Sequence, residues 1–382
     1  MDKPASLPLP VEQLPANIRR FAASDAPLAA RLMAARGLVP VQGADQVSLL
    51  VQLTGAAEAQ VADTARTTLQ GLPEATLHAA SEAPLHAVFL DYLAKAFASQ
   101  FDVLERVARN AATGDFTLER LAATGSEALT EIIALNQRRL LECPRIIEAL
   151  YANRNTRMST ADRLVELAAR NGVRLDAIPA FDAHVAAIAG ELIPEPTAEP
   201  LPGDRWFNEA LEADSEDDDV MVGSQPPEGA DDEEEPPPEE VREKFRPLHT
   251  RIREMRTAEK IRLAMVGDAA ARALLVRDPN KTVAHAAIAS PRMKDSDVIH
   301  IAQSRDVSQD VLRYITNRKQ WVRSYEVKRA LVGNPKTPVG AALRFMTHLR
   351  KEDLKTLSRS RGIAQSVKTA AKQRLLKIQR GG

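Results

Sequence analysis

Ala149-Leu150-Tyr151-Ala152-Asn153-Arg154-Asn155-Thr156-Arg157-Met158 returns 181 residues later as Ala330-Leu331-Val332-Gly333-Asn334-Pro335-Lys336-Thr337-Pro338-Val339, with Ala, Leu, Asn and Thr identical. Each copy closes one amphipathic helix and opens the next. Asparagine suits such a point because it tolerates turn geometry and its side chain can satisfy backbone groups left unpaired where a helix ends. Weaker echoes lie at Val107-Ala108-Arg109-Asn110, 43 residues before Asn153, and at Ile288-Ala289-Ser290-Pro291, 44 residues before Pro335. The pattern predicts a chain of short helices with a repeat near 43 to 44 residues, and places Asn153 and Asn334 in equivalent turns.

Working outward, local signals place helices in the C-terminal half near 258–265, 268–276, 281–289, 296–304, 308–317, 323–333, 338–349, 351–359 and 364–379. Ser308, Ser324, Asp295 and Thr337 offer capping oxygens, the last with Pro338 at the first helical position. Asp278-Pro279, Ser290-Pro291 and Asn334-Pro335 are stops, because proline disfavours α geometry in the residue before it. In the N-terminal half, Ser159-Thr160-Ala161-Asp162 has capping-box spacing. No alternating run demands a sheet. Composition agrees: 62 of 382 residues are alanine and only 15 are aromatic, which suits close helix packing rather than a sandwich or barrel. The expected fold is all-α.

The net charge of -1 conceals a division into three parts. Residues 1–190 are near neutral. Residues 191–240 carry 19 acidic and 1 basic side chains and nine of the 24 prolines, whereas 241–382 carry 32 basic and 12 acidic. A segment so acidic and proline-rich buries little apolar area and repels itself. The expected domains are therefore a helical-repeat domain at 1–190, a disordered acidic linker at 191–240 and a basic helical-repeat domain at 241–382. Within the linker, Trp206, Phe207, Ala210 and Leu211 would share one face of a helix. Trp206, Phe207 and Leu211 therefore form a candidate motif that folds on a partner or on one of the chain's own domains.

Asn334-Pro335-Lys336-Thr337-Pro338 between two apolar helices resembles the HEAT-like and leucine-rich-repeat-variant α-solenoids of bacteria. The observed period also lies in the roughly 40–47-residue range of HEAT and armadillo repeats. Ala149 to Gly172 and Lys260 to Leu376 are similar to uncharacterised bacterial proteins of that kind. The N-terminal copy departs from the pattern, with Arg154 and Arg157 where prolines would stand. The resemblance implies binding through stacked helices.

Chemistry is harder to find. The chain has no G-x-x-x-x-G-K-[ST], G-x-G-x-x-G or G-x-S-x-G sequence. Its seven histidines form no metal-ligand spacing, and Cys143, the single cysteine, has no basic partner pattern and reads as a structural thiol. No catalytic residue, cofactor or metal is expected. The first fifteen residues lack a basic region followed by an apolar run, and no stretch reaches membrane-spanning length, so a cytoplasmic protein without membrane contact is expected.

Arg313, Arg318, Lys319, Arg323, Lys328 and Arg329 cluster around Trp321, with Tyr314 and Tyr325 nearby. These six cations and Trp321 are the candidate macromolecule-binding surface. The expected function is a non-catalytic scaffold or adaptor that binds another protein along its stacked helices. The rival is a nucleic-acid binder, its cations on phosphates and its rings on bases, with the acidic linker as a competing mimic. An enzyme would need a cleft that no motif reveals.

Overall fold

The computed structural model describes residues 7–190, 199–216, 248–360 and 362–380. Among these residues are 24 α-helices, two 3-10 turns and no strand, so the protein is all-α. The chain forms two compact units, Met1–Leu175 and Asp176–Gly382.

In the first unit, alternate helices stack. Ala16–Ala22, Gly43–Leu53, Glu74–Glu82, Phe101–Arg109 and Glu127–Ala134 follow one another in one layer. Leu28–Ala35 packs on Ala59–Gln70, and Ala87–Ala96, Asp115–Thr124 and Pro144–Ala152 continue the second layer. The core between them is aliphatic: Leu50, Val61, Leu90, Val103, Val107, Ile146, Ile147 and Leu150 are fully buried. The second unit repeats the scheme. Phe181–Ile188, Thr257–Val266, Lys281–Ala289 and Gln309–Asn317 stack in one layer; Ala269–Leu275, Asp295–Gln303 and Tyr325–Gly333 stack in the other. Val339–Met346, Lys351–Arg359 and Gln365–Arg380 complete it.

The nine helices expected in the basic half all form, with ends within a few residues. Ser308 and Ser324 accept hydrogen bonds from the amides of Val311 and Val327, as helix caps do. Three capping expectations are corrected, the first being Asp295, which is the first residue of its helix with Lys294 at the cap position. Thr337 does not cap, since its helix starts at Val339 with Pro338 ahead of it, and its hydroxyl is buried without a partner among the described residues. The helix at 158 begins at Met158, ahead of Ser159, so the expected capping box lies inside the first turn.

The asparagine turns are equivalent, as expected. Asn153 Nδ2 donates to the carbonyls of Ala122 and Gly125 at 2.8 and 3.0 Å, and Asn334 Nδ2 to those of Ala302 and Ser304 at 2.8 Å each. Asn110 does the same to Ser81 and Ala83 at 2.7 and 2.8 Å. In all three, the Oδ1 accepts the amide two residues on, at 2.9 to 3.0 Å. A threonine follows three residues after each asparagine, at Thr113, Thr156 and Thr337, its amide bonded to the asparagine carbonyl. At Gly125 the contact is close enough to exclude a side chain: a Cβ there would stand 2.6 Å from the Leu121 carbonyl oxygen.

These ties correct the expected period. Each asparagine reaches back 27 to 32 residues, to the helix end one layer-step earlier. The 43-residue echo compares turns in opposite layers, Asn110 ending Phe101–Arg109 and Asn153 ending Pro144–Ala152, with the short extra helix Gln137–Glu142 between them. The sequence signal belongs to these three asparagine-tied helix ends, whichever layer holds them.

The domain boundaries also differ. The units divide at Leu175/Asp176, because Phe181–Ile188 packs on Thr257–Val266 and buries Phe181, His184 and Ile188 there. The segment around Trp206 is not part of a disordered linker: Pro202–Glu216 is a helix packed on Leu248–Glu254 and Thr257–Val266. Phe207, Ala210 and Leu211 are buried, but Trp206 is 68% exposed and does not share their face. The rest of the expected linker, 191–198 and 217–240, lies outside the described residues.

Asn334→Ala should leave two helix-end carbonyls without their side-chain donor and Asn153→Ala one, since Asn155 Nδ2 also donates to the Gly125 carbonyl at 2.9 Å. Each should destabilise the protein by about 1–3 kcal/mol, read as a lower urea midpoint at unchanged slope. A second tie is electrostatic. Asp91, on Ala87–Ala96, accepts from Lys95 at 2.6 Å, Arg120 at 2.9 Å and Thr117 at 3.0 Å. Burial alone would raise its pKa, but those three donors together hold it below the usual value. A depressed folded-state pKa contributes stability above the unfolded value, near pH 4, and loses it as pH falls through the folded value. Asp91→Asn should therefore be less stable at pH 7 and flatter in stability between pH 6 and 3, as measured by urea titrations across that range.

Candidate macromolecule-binding surface

Arg313 and Arg318 come from Gln309–Asn317 and the residue after it, Trp321 and Arg323 from the 3-10 turn Trp321–Arg323, and Lys328 and Arg329 from Tyr325–Gly333. Gln309–Asn317 lies beside Lys281–Ala289 in one layer, whereas Tyr325–Gly333 packs on Asp295–Gln303 in the other. The candidates thus follow the chain across the turn between layers, from Gln309–Asn317 through the 3-10 turn to Tyr325–Gly333.

In the first layer, Asp310 links two helices: it meets Lys281 at 3.1 Å and Arg313 at 2.8 Å. The hydrogen bond and charge of Lys281 hold the Asp310 carboxyl below the usual carboxylate range. A row of rings runs alongside. His285 meets Tyr314 edge-on at 5.0 Å, and Tyr314 lies 6.0 Å from Trp321. The Arg318 guanidinium covers Tyr314, 4.7 Å from the ring centroid, and donates to its hydroxyl. Trp321 is only 9% exposed. It fills the space under the turn, so it is a packing residue and offers no face to a partner, contrary to its place in the candidate surface. Lys319 and Arg323 are exposed and form no ion pair among the described residues.

In the second layer, Lys328 is half-buried, and exposed Arg329 lies 3.6 Å from Asp353. Asp353 also accepts from the Tyr325 hydroxyl, which in turn accepts the Arg350 amide at 3.0 Å. Burial and then the bond to Asp353 push the Tyr325 pKa up. These contacts occupy Arg329 in holding Tyr325–Gly333 to Lys351–Arg359.

The sequence reading missed the neighbours of this surface. A cleft of about 340 Å³ lies beside His285, lined by Pro179, Ala180, Asp182, Ala183, Lys281 and Thr282. Asp182 and Lys281 give it one charge of each sign. No local signal marks it, since its two walls are about 100 residues apart in sequence and meet only through stacking.

Other candidate chemistry is quiet. Burial, then the charges of Asp115 and Glu119, push the Cys143 thiol up, so it is a poor thiolate. Among the described residues, no three His, Cys, Asp or Glu side chains come together to hold a metal ion, and no helix is long and apolar enough to cross a membrane. The chain matches no protein-family model and no curated protein.

Removing Trp321 should cost stability: Trp321→Ala is expected to lose about 3–5 kcal/mol in urea unfolding. Lys319→Ala with Arg323→Ala should stay within about 0.5 kcal/mol of the parent, as surface changes do.

Proposed function

We propose that this chain is a non-catalytic scaffold of HEAT-like α-solenoid type, cytoplasmic, which binds another protein along its stacked helices. The observation that carries this reading is the surface formed by Lys281, His285, Asp310, Arg313, Tyr314 and Arg318. Asp310 stands among Lys281, Arg313 and Arg318 beside an open cleft; Arg318 covers Tyr314 and Trp321 is buried, while the His285 ring is exposed. A protein surface with mixed charge complements such a pattern, and electrostatic matching of this sort sets specificity and encounter rate. Nucleic acid would call for unpaired cations in a stripe and exposed rings for base stacking.

A second reading, nucleic-acid binding modulated by the acidic 191–240 segment, is favoured by Lys319 and Arg323, which stand exposed and without ion partners among the described residues. Three phosphate contacts of this kind would give a log–log salt slope of about -2.7 on duplex DNA.

The test uses the full chain as bait in native lysate, with and without nuclease, beside a variant carrying Arg313→Ala, Arg318→Ala and Lys319→Ala. Protein retained after nuclease by the parent and lost by the variant is the expected outcome. Retention abolished by nuclease, with duplex binding of the stated salt slope, would transfer the assignment to the second reading.

A further inference from the structure

The helix Pro202–Glu216 lies in the groove between Leu248–Glu254 and Thr257–Val266. Its hold on that groove is small. Asp204, Phe207, Ala210 and Leu211 are its buried residues among 202–212, whereas Thr257–Val266 buries eight of its ten. Phe207 is fully buried, its ring 4.9 Å from the guanidinium of Arg262, itself fully buried. Two residues on, Glu209 meets Arg251 at 3.3 Å while remaining about half exposed. Ala210 and Leu211 fill the rest at the i+3 and i+4 positions from Phe207. Apolar anchors at that spacing are how an amphipathic helix occupies a groove when it binds in trans.

The groove therefore reads a defined chemistry: an aromatic ring over Arg262, a carboxylate on Arg251, then a small and a large apolar side chain. Pro202–Glu216 supplies it as Phe207-x-Glu209-Ala210-Leu211, on a helix that also carries Glu212, Asp214 and Glu216. We propose that this groove is a recognition site for acidic amphipathic helices of a partner protein, filled in cis by the chain's own helix, which the partner displaces. The proposal rests on the protein-binding reading and names a partner class for it at a second place. Tethering sets the competition. A connected segment acts at about millimolar effective concentration, so an external helix binds in proportion to the fraction of time the groove stands open.

The probe is a fluorescein-labelled synthetic peptide of residues 201–216, titrated by anisotropy into the full chain. The parent should bind it weakly. Full chain carrying Phe207→Ala, whose own helix competes poorly, should bind it at least tenfold more tightly, and a peptide with the same substitution should bind neither. Equal binding by parent and variant, or none by the variant, overturns the proposal. Should circular dichroism show the variant unfolded, amide exchange on the parent decides. Amides of 205–212 exchanging at least tenfold faster than those of 260–266 support a displaceable helix; equal protection refutes it. None of these outcomes bears on the Lys281 to Arg318 surface, which the lysate capture tests separately.

Discussion

Three turns of these stacks bring a helix end against the helix before it, and at each the asparagine carboxamide is what makes that tolerable. The last carbonyls of a helix have no partner within it, and in the interior of a stack solvent cannot reach them. Buried backbone acceptors left open cost about as much as a lost hydrogen bond. The carboxamide carries two donor hydrogens and an acceptor on one short rigid group. Asn110, Asn153 and Asn334 each close two carbonyls of the preceding turn while their Oδ1 holds their own turn shut. Aspartate would lack the donors, and serine reaches only its own turn. Where Ser290 stands in the equivalent place, its hydroxyl takes the Arg292 amide at 3.4 Å, and the donor to the preceding helix of the same layer comes instead from the Arg292 side chain, which reaches the Val266 carbonyl at 2.8 Å.

That substitution explains where much of the positive charge goes. Arg344 reaches the carbonyl of Thr316 at 3.4 Å and Arg374 that of Thr347 at 2.7 Å, each donating to the negative end of a helix dipole. Arg262 and Arg272 are buried, Lys260 meets Asp278 at 3.2 Å, and Arg251 meets Glu209. A basic count in this fold is thus partly a count of fasteners. Part of the net surplus of the 241–382 region is taken up where cations tie one helix to another within the stack.

The helix Pro202–Glu216 shows how composition conceals local order. Averaged over 191–240, the chain is acidic and proline-rich, yet eleven residues within it hold a ring and two apolar side chains at helical spacing. Those three find a groove whose floor includes a buried guanidinium. The adjacent Trp206, larger and more conspicuous in sequence, is left facing outward because one residue along a helix is about 100° around it.

Sequence alone determined what depends on neighbours along the chain: the all-α class, the nine helices of the basic half, and the equivalence of Asn153 and Asn334. Capping, proline stops and amphipathic spacing act over a few residues, so they are legible without the fold. Only the tertiary structure decided the unit boundary at Leu175/Asp176, the spacing of the ties, the burial of Trp321, the cleft beside His285 and the seat of Phe207. Each of these depends on which helix lies against which. Stacking sets that choice, pairing Phe181–Ile188 with Thr257–Val266 and joining cleft walls about 100 residues apart. Packing free energy is summed over contacts remote in sequence, and no local pattern of residues encodes it.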